Sequence, residues 1–144
     1  MKRARLALGT VLGAAVFVWC QSVNFAGSFE GGRAGAWELG ATAVYVGFWA
    51  VYSVLFRREP AALWVCFGIA LLTLFGSLSA LVPIDFVPLS ILMIFFAGVP
   101  LYGLRFFWGW TGVYAFGGAG AAVWLAWSVW MLARRMNRWK KAGD

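Results

Sequence analysis

Two oppositely charged residues, Asp85 and Arg105, are the side chains in this chain best suited to bind an ion or an anionic ligand. They flank one apolar segment, whereas ten of the twelve basic residues lie in three clusters beside other apolar runs. A charge next to a long apolar segment is a candidate for function. If the two residues lie on the same side of a membrane, we expect Asp85 to pair with Arg105. The plainer interpretation is that Arg105 extends its guanidinium group to the interface beside Trp108.

The sequence lacks the residue patterns that catalysis and metal binding require. It contains no histidine and only two cysteines, Cys20 and Cys66. A structural zinc site needs four Cys or His ligands, and a bis-histidine haem needs two histidines. No nucleotide-binding motif and no buried pair of acids can be found. We therefore predict that the protein is not an enzyme and that it has no catalytic residues, no metal and no cofactor.

The composition indicates that the chain is surrounded by lipid. It has 144 residues, of which 63% are hydrophobic and 12% charged, with a mean hydropathy of +0.82. A soluble domain carries about 25% charged residues, so this chain could not cover a water-exposed surface. In lipid, helices satisfy their own backbone groups. We predict an all-α polytopic integral membrane helical bundle that forms a single transmembrane domain.

Five apolar segments can be marked, at about residues 6–23, 37–56, 61–82, 86–104 and 111–132, followed by a basic tail at 133–144. Residues 24–36 are too rich in glycine to be helical and predict a loop. Pro60 after two arginines and a glutamate predicts a tight hairpin, since proline is tolerated in the first helical turn but not in its middle. Gly98 and Pro100 interrupt the fourth segment.

The distribution of basic residues favours a topology with an even number of crossings. Five full crossings would place six basic residues on each side and leave the orientation without bias. If the fourth segment enters and leaves on the outer side, ten lie inside and only Arg33 and Arg105 lie outside, as the positive-inside rule expects. We therefore favour four crossings plus a re-entrant segment at 86–108 over five full crossings. A fifth crossing kinked at Pro100 and an interfacial helix are the alternatives.

This topology places both the N- and C-termini in the cytoplasm of a cell with a prokaryotic-type plasma membrane. The net charge of +7 does not indicate nucleic acid, because the basic clusters flank apolar runs. They are better explained as topology signals and as contacts with anionic lipid headgroups. We predict such contacts for the basic residues of the tail, which are Arg134, Arg135, Arg138, Lys140 and Lys141.

Small residues recur four positions apart in several segments, and they are densest at residues 117–122. Such pairs let helix backbones approach closely in lipid. The ten tryptophans are mostly explained as anchors at segment ends, where indole rings favour the headgroup region, and an aromatic pocket is the alternative. We predict helix packing, within the chain or with a partner, for Gly9, Gly13, Gly117, Gly118, Ala121 and Ala122.

Two functions from different classes follow from these features. The favoured one is a small non-catalytic integral membrane protein that acts through helix association, as a homo-oligomer or as an accessory subunit of a membrane complex. The alternative is a small transporter or channel that uses the break at Gly98 and Pro100 together with Arg105. Only the alternative requires polar side chains that converge at membrane depth.

Overall fold

The computed structural model describes residues 2–30, 33–81 and 94–143. Between the third and fourth long helices, residues 94–106 form a π-helix at Ile94–Gly98, a short α-helical stretch at Val99–Leu101 and a 3-10 helix at Tyr102–Phe106. We call residues 94–106 the broken segment. The four long α-helices are α1 (Lys2–Glu30), α2 (Ala36–Leu55), α3 (Pro60–Leu81) and α4 (Trp110–Gly143).

Each of the four long helices contains a stretch that is long and apolar enough to cross a membrane. These stretches are Ala4–Phe29, Ala36–Leu55, Pro60–Leu81 and Trp110–Met136. A helix rises about 1.5 Å per residue, so 20 residues match a hydrocarbon core of about 30 Å. The predicted all-α helical bundle is confirmed, with the four long apolar helices expected of a multi-pass membrane protein.

Helix α1 is longer than the sequence predicts. The prediction of a glycine-rich loop at residues 24–36 is wrong for residues 24–30, because α1 continues to Glu30. Asn24 is fully buried and bonds to Thr42 of α2. Gly27 lies against the Tyr102 ring, where an added Cβ would be 2.5 Å from Cε1. These tertiary contacts outweigh the low helix propensity of the glycines.

The bundle consists of two helix pairs with the broken segment between them. Helices α3 and α4 pack along their length, and α1 packs against α2, whereas α2 and α3 make little direct contact. Helix α3 begins at Pro60 as predicted, directly after a turn in which the backbone of Glu59 donates to Phe56 O at 2.8 Å. The tail is not a separate element, since α4 continues to Gly143.

The three basic clusters lie at one end of the molecule, which we call the basic end. The start of α1 is placed there because Gly9 lies against the ring of Phe56, at the end of α2. The end of α4 is placed there because the Arg135 side chain donates to the carbonyl oxygen of Arg58. Residues 2 and 143 therefore lie at the same end of the molecule, as four crossings require.

The described part of the predicted re-entrant segment lies in the half of the bundle away from the basic end. Its Phe96 ring stacks on Phe17, in the middle of α1, and Phe95 contacts Phe25 about two turns further on. Asp85 and the first part of the segment, residues 86–93, lie outside the described residues. Its entry and exit on one side therefore stay a prediction.

Candidate functional site

Pro100 interrupts the helix because it has no N–H group and its ring clashes with the carbonyl four residues earlier. The backbone responds by changing from π-helix to 3-10 helix within a few residues. Such changes leave backbone groups without their usual helical partners. All seven residues from 97 to 103 are buried. At membrane depth their backbone groups must find partners within the protein.

The hydroxyl group of Thr42 supplies several of these partners. Its Oγ1 donates to Pro100 O at 2.8 Å and accepts from Gly103 N at 3.0 Å. It also accepts from Asn24 Nδ2 at 3.1 Å. One donated and two accepted bonds are the full capacity of a hydroxyl. Thr42 is only 1% exposed, so no water competes for these bonds.

Helix α1 adds two further polar side chains to the same region. The Cys20 thiol donates to Pro100 O at 3.6 Å and accepts from Asn24 Nδ2 at 3.4 Å. The Gln21 amide donates to the carbonyl oxygen of Phe95. The bonds among Cys20, Asn24, Thr42, Pro100 and Gly103, which we call the Thr42 network, tie α1 and α2 to the broken segment.

The Thr42 network is not predicted by the sequence. Gln21 and Asn24 lie at the end of the first apolar segment, whereas Thr42 lies inside the second. A hydroxyl inside an apolar helix is usually satisfied by its own helix four residues earlier. The available signal was the proline break itself, since freed carbonyl and N–H groups in a membrane require a donor and an acceptor elsewhere in the chain.

Glycines allow the broken segment to approach its neighbours closely. An added Cβ at Gly103 would lie 2.6 Å from Thr42 Oγ1 and closer still to the backbone oxygen of Glu38. An added Cβ at Gly117 of α4 would lie 2.5 Å from a methyl carbon of Leu101. The broken segment is therefore held closely between α2 and α4. Only glycine fits at position 103, where the nearest atom belongs to the backbone, whereas at position 117 the Leu101 side chain would have to move.

Arg105 lies at the end of the broken segment and faces an aromatic pair. Its guanidinium carbon is 4.7 Å from the ring centroid of Trp110, and that ring stacks on Tyr114 at 5.4 Å between centroids. A cation over an indole contributes about 0.5–2 kcal/mol, depending on its solvation. The indole ring against the guanidinium group is that of Trp110, two residues beyond Trp108. The predicted partner Asp85 lies outside the described residues.

A groove of about 790 Å³ separates α2 from α4. The broken segment closes one end of it with Leu101 and Leu104. The groove then extends along α2 as far as Ser53 and Val54, close to the basic end. Its lining is apolar, and each of its two walls carries several small residues among larger aromatic and aliphatic ones. The small residues include Ala43, Gly47 and Ala50 on α2, with Gly117, Gly120 and Ala121 on α4.

Four of the predicted packing residues lie at contacts between helices of this chain. Gly9 and Gly13 face aromatic rings of α2, and an added Cβ at Gly13 would be 2.7 Å from the Trp49 ring. Gly117 and Gly118 both lie near Ser77 of α3. Of the two predicted alanines, Ala121 is buried and Ala122 is exposed.

Two glycines of the groove have no such neighbours. An added Cβ at Gly47 or at Gly120 would meet no atom of the chain within 4 Å. They lie on opposite walls of the groove, and both are exposed. The packing of the described chain therefore gives no reason for a glycine at either position.

No family model, no curated protein and no solved structure matches this chain. Within the described ranges, no group of three or more His, Cys, Asp or Glu residues is placed to hold a metal ion. The function is therefore inferred from the residues and their geometry.

Proposed function

We propose that this protein is a non-catalytic membrane protein that acts through helix association. The groove between α2 and α4 receives a transmembrane helix of a second chain. The observation that carries this proposal is the open space at Gly47 and Gly120. A glycine inside a helix costs about 1 kcal/mol relative to alanine, and neither position needs it for packing in the described chain. Small residues in lipid allow another helix backbone to approach closely.

The dimensions and chemistry of the groove suit a helix. It follows α2 from Leu39 to Val54, a length of about 22 Å at 1.5 Å per residue, which is most of the apolar thickness of a bilayer. The Ser53 hydroxyl bonds to the carbonyl oxygen of Ala50 at 2.8 Å, within its own helix. It therefore has its acceptor already, and the occupant we propose is an apolar helix face.

Gly47→Leu and Gly120→Leu are expected to abolish association without destabilising the monomer. Leucine forms helices better than glycine by about 0.8 kcal/mol, and the open space accommodates it until a second helix arrives. Gly68→Leu is the matched control, because Gly68 of α3 also faces open space but does not line the groove. Cross-linking in native membranes measures association, and thermal unfolding in detergent measures the stability of the monomer.

The groove variants should lose the cross-linked species while Gly68→Leu keeps it. Cross-linking of both groove variants at the wild-type level would contradict the proposal. Co-expression of a tagged and an untagged copy then identifies the second chain. Recovery of the untagged copy indicates a homo-oligomer, and recovery of a different chain indicates an accessory subunit of a complex.

We also propose that the basic end faces the cytoplasm of a cell with a prokaryotic-type plasma membrane. The support is the convergence of basic residues at that end, because positive charge is retained on the cytoplasmic side during insertion. Reporters fused before residue 1 and after residue 144 are both expected to report an inside location. A reporter inserted beside Arg33, between α1 and α2, should report outside. Opposite locations for the two termini would instead require five crossings.

The lipid bilayer itself is the second partner that we propose, with anionic headgroups contacting the basic tail. Helix α4 carries the tail directly out of its apolar stretch, which ends near Met136. Each basic residue near an anionic membrane surface contributes about 1 kcal/mol of attraction. The residues proposed for this contact are Arg134, Arg135, Arg138, Lys140 and Lys141.

A small transporter or channel is the second candidate function, and one observation favours it. The amide oxygens of Gln21 and Asn24 are buried beside the broken segment and have no hydrogen-bond partner within the described residues. Oxygens of this kind suit a water molecule or a small cation, and broken helices form the binding sites of many transporters. The groove, by contrast, is apolar and offers no hydrophilic pathway.

Substitution of Arg105 distinguishes the two functions. Under helix association we expect Arg105→Lys and Arg105→Gln both to accumulate and to keep the cross-linked species, because Arg105 does not line the groove. A transporter or channel would show Na⁺, K⁺ or Cl⁻ flux in proteoliposomes, and Arg105→Gln would abolish it. Membrane accumulation is measured first, so that loss of folding is not mistaken for loss of flux. Wild-type proteoliposomes without flux of these ions would argue against the second candidate.

A further inference from the structure

Among the residues whose side chains the structure describes, five arginines and one acidic residue, Glu59, lie at the basic end. Arginine guanidinium groups stay charged at all physiological pH values, so this end carries a net positive charge. Within the described residues, none of the five is paired with a carboxylate. They are Arg5 of α1, Arg57 and Arg58 of the hairpin, and Arg134 and Arg135 of α4.

One hydrogen bond joins two of these elements directly. The guanidinium group of Arg135 donates to the carbonyl oxygen of Arg58, so α4 is tied to the hairpin between α2 and α3. This contact brings Arg135 against the backbone of Arg58, so the two basic clusters are adjacent although like charges repel at short range. An anion lying between the two clusters would convert this repulsion into attraction.

A second contact sets the depth of the cluster. The guanidinium carbon of Arg134 lies 4.2 Å from the ring centroid of Trp130, and Trp130 is 49% exposed. Exposed indole rings favour the headgroup region of a bilayer, and arginine side chains extend towards the same level. We therefore expect Arg134 to lie at the depth of the lipid phosphates.

We propose that the hairpin and α4 together form a binding site for the phosphate of an anionic phospholipid. Arg57 and Arg58 lie on one side of the site, and Arg134 and Arg135 lie on the other. The inference rests on the proposed contact between the tail and anionic lipid, and it adds a defined site in which the hairpin takes part. Planar guanidinium groups bind phosphate in a two-pronged manner that lysine cannot reproduce.

Arg135 is the residue best prepared for this role. One of its N–H donors is committed to Arg58 O, which fixes the orientation of the remaining donors. It is partly buried, whereas Arg57, Arg58 and Arg134 are exposed. A lipid is favoured over free phosphate because the Trp130 ring beside the site lies at the level of lipid headgroups.

The test uses the full chain in nanodiscs of phosphatidylcholine that contain a minor fraction of phosphatidylglycerol. Native mass spectrometry measures the phosphatidylglycerol that the protein retains. Arg58→Gln and Arg135→Gln are each expected to lower this retention about tenfold, the effect of losing one strong charge-assisted interaction. The double variant should lose little more, because both residues contact one phosphate. Arg5→Gln, the control at the same end on α1, should change retention less than about twofold.

An equal loss from all three single variants would overturn the defined site and leave only general attraction between the tail and the membrane. Equal retention of phosphatidylglycerol and phosphatidylcholine by the wild type would overturn both the defined site and the general attraction between the tail and anionic lipid. If millimolar inorganic phosphate displaces the lipid, the ligand of this site is free phosphate and the lipid proposal is overturned. Arg58→Lys keeps the charge without the guanidinium plane, and it should lose retention while leaving thermal unfolding unchanged. None of these results depends on helix association, which Gly47→Leu tests separately.

Discussion

Gly103→Ala is expected to prevent the protein from accumulating in the membrane. The added Cβ would lie against the backbone oxygen of Glu38 and 2.6 Å from Thr42 Oγ1, and a backbone oxygen inside a helix cannot move aside. The broken segment would have to leave α2, which also breaks the 3.0 Å bond from Gly103 N to Thr42. Overpacking of this kind costs about 3 kcal/mol or more.

Gly40→Ala is the matched control for this substitution. Gly40 lies in α2 between Glu38 and Thr42, but a Cβ added there would meet no atom within 4 Å. Alanine there should be neutral or stabilising by up to about 1 kcal/mol. The two variants are compared by their accumulation in the membrane and by their thermal unfolding in detergent. Equal stability of Gly103→Ala and Gly40→Ala would show that the broken segment does not pack against α2 in this way.

Thr42→Val should destabilise the protein by about 2–4 kcal/mol. Valine keeps the shape of threonine but removes the hydroxyl, so Gly103 N loses its acceptor and Pro100 O loses its better donor. Interhelical hydrogen bonds in membranes contribute about 0.6 kcal/mol on average and up to about 1.7, and Thr42 makes three bonds. We expect the midpoint of thermal unfolding in detergent to fall accordingly.

Thr42→Ser provides the control, because it keeps the hydroxyl and loses only a methyl group. Its cost should be about 1 kcal/mol. Asn24→Ala should add little to Thr42→Val, since the Asn24 amide donates to the same hydroxyl. Equal effects of Thr42→Val and Thr42→Ser would mean that packing rather than hydrogen bonding holds the broken segment.

The sequence alone determined the four long apolar helices and the break between the last two of them, because these depend on local properties. Apolar stretches of about 20 residues predict membrane helices wherever they occur. Pro60 marked the start of α3, and Gly98 with Pro100 marked the break, because the backbone limits of proline hold in any surroundings. The positions of the basic clusters predicted that they would share one end.

The tertiary structure decided which residues meet, and this information is not local. Helix α1 continues past Asn24 because the side chain bonds to Thr42, a residue that is adjacent only after folding. The tertiary structure also decides which glycines pack against other helices of the chain. Gly117 and Gly118 are used within the chain, whereas Gly47 and Gly120 face open space, although both pairs are glycines in apolar helices. Spacing along a helix cannot distinguish them, because the difference lies in which neighbouring helix faces each position.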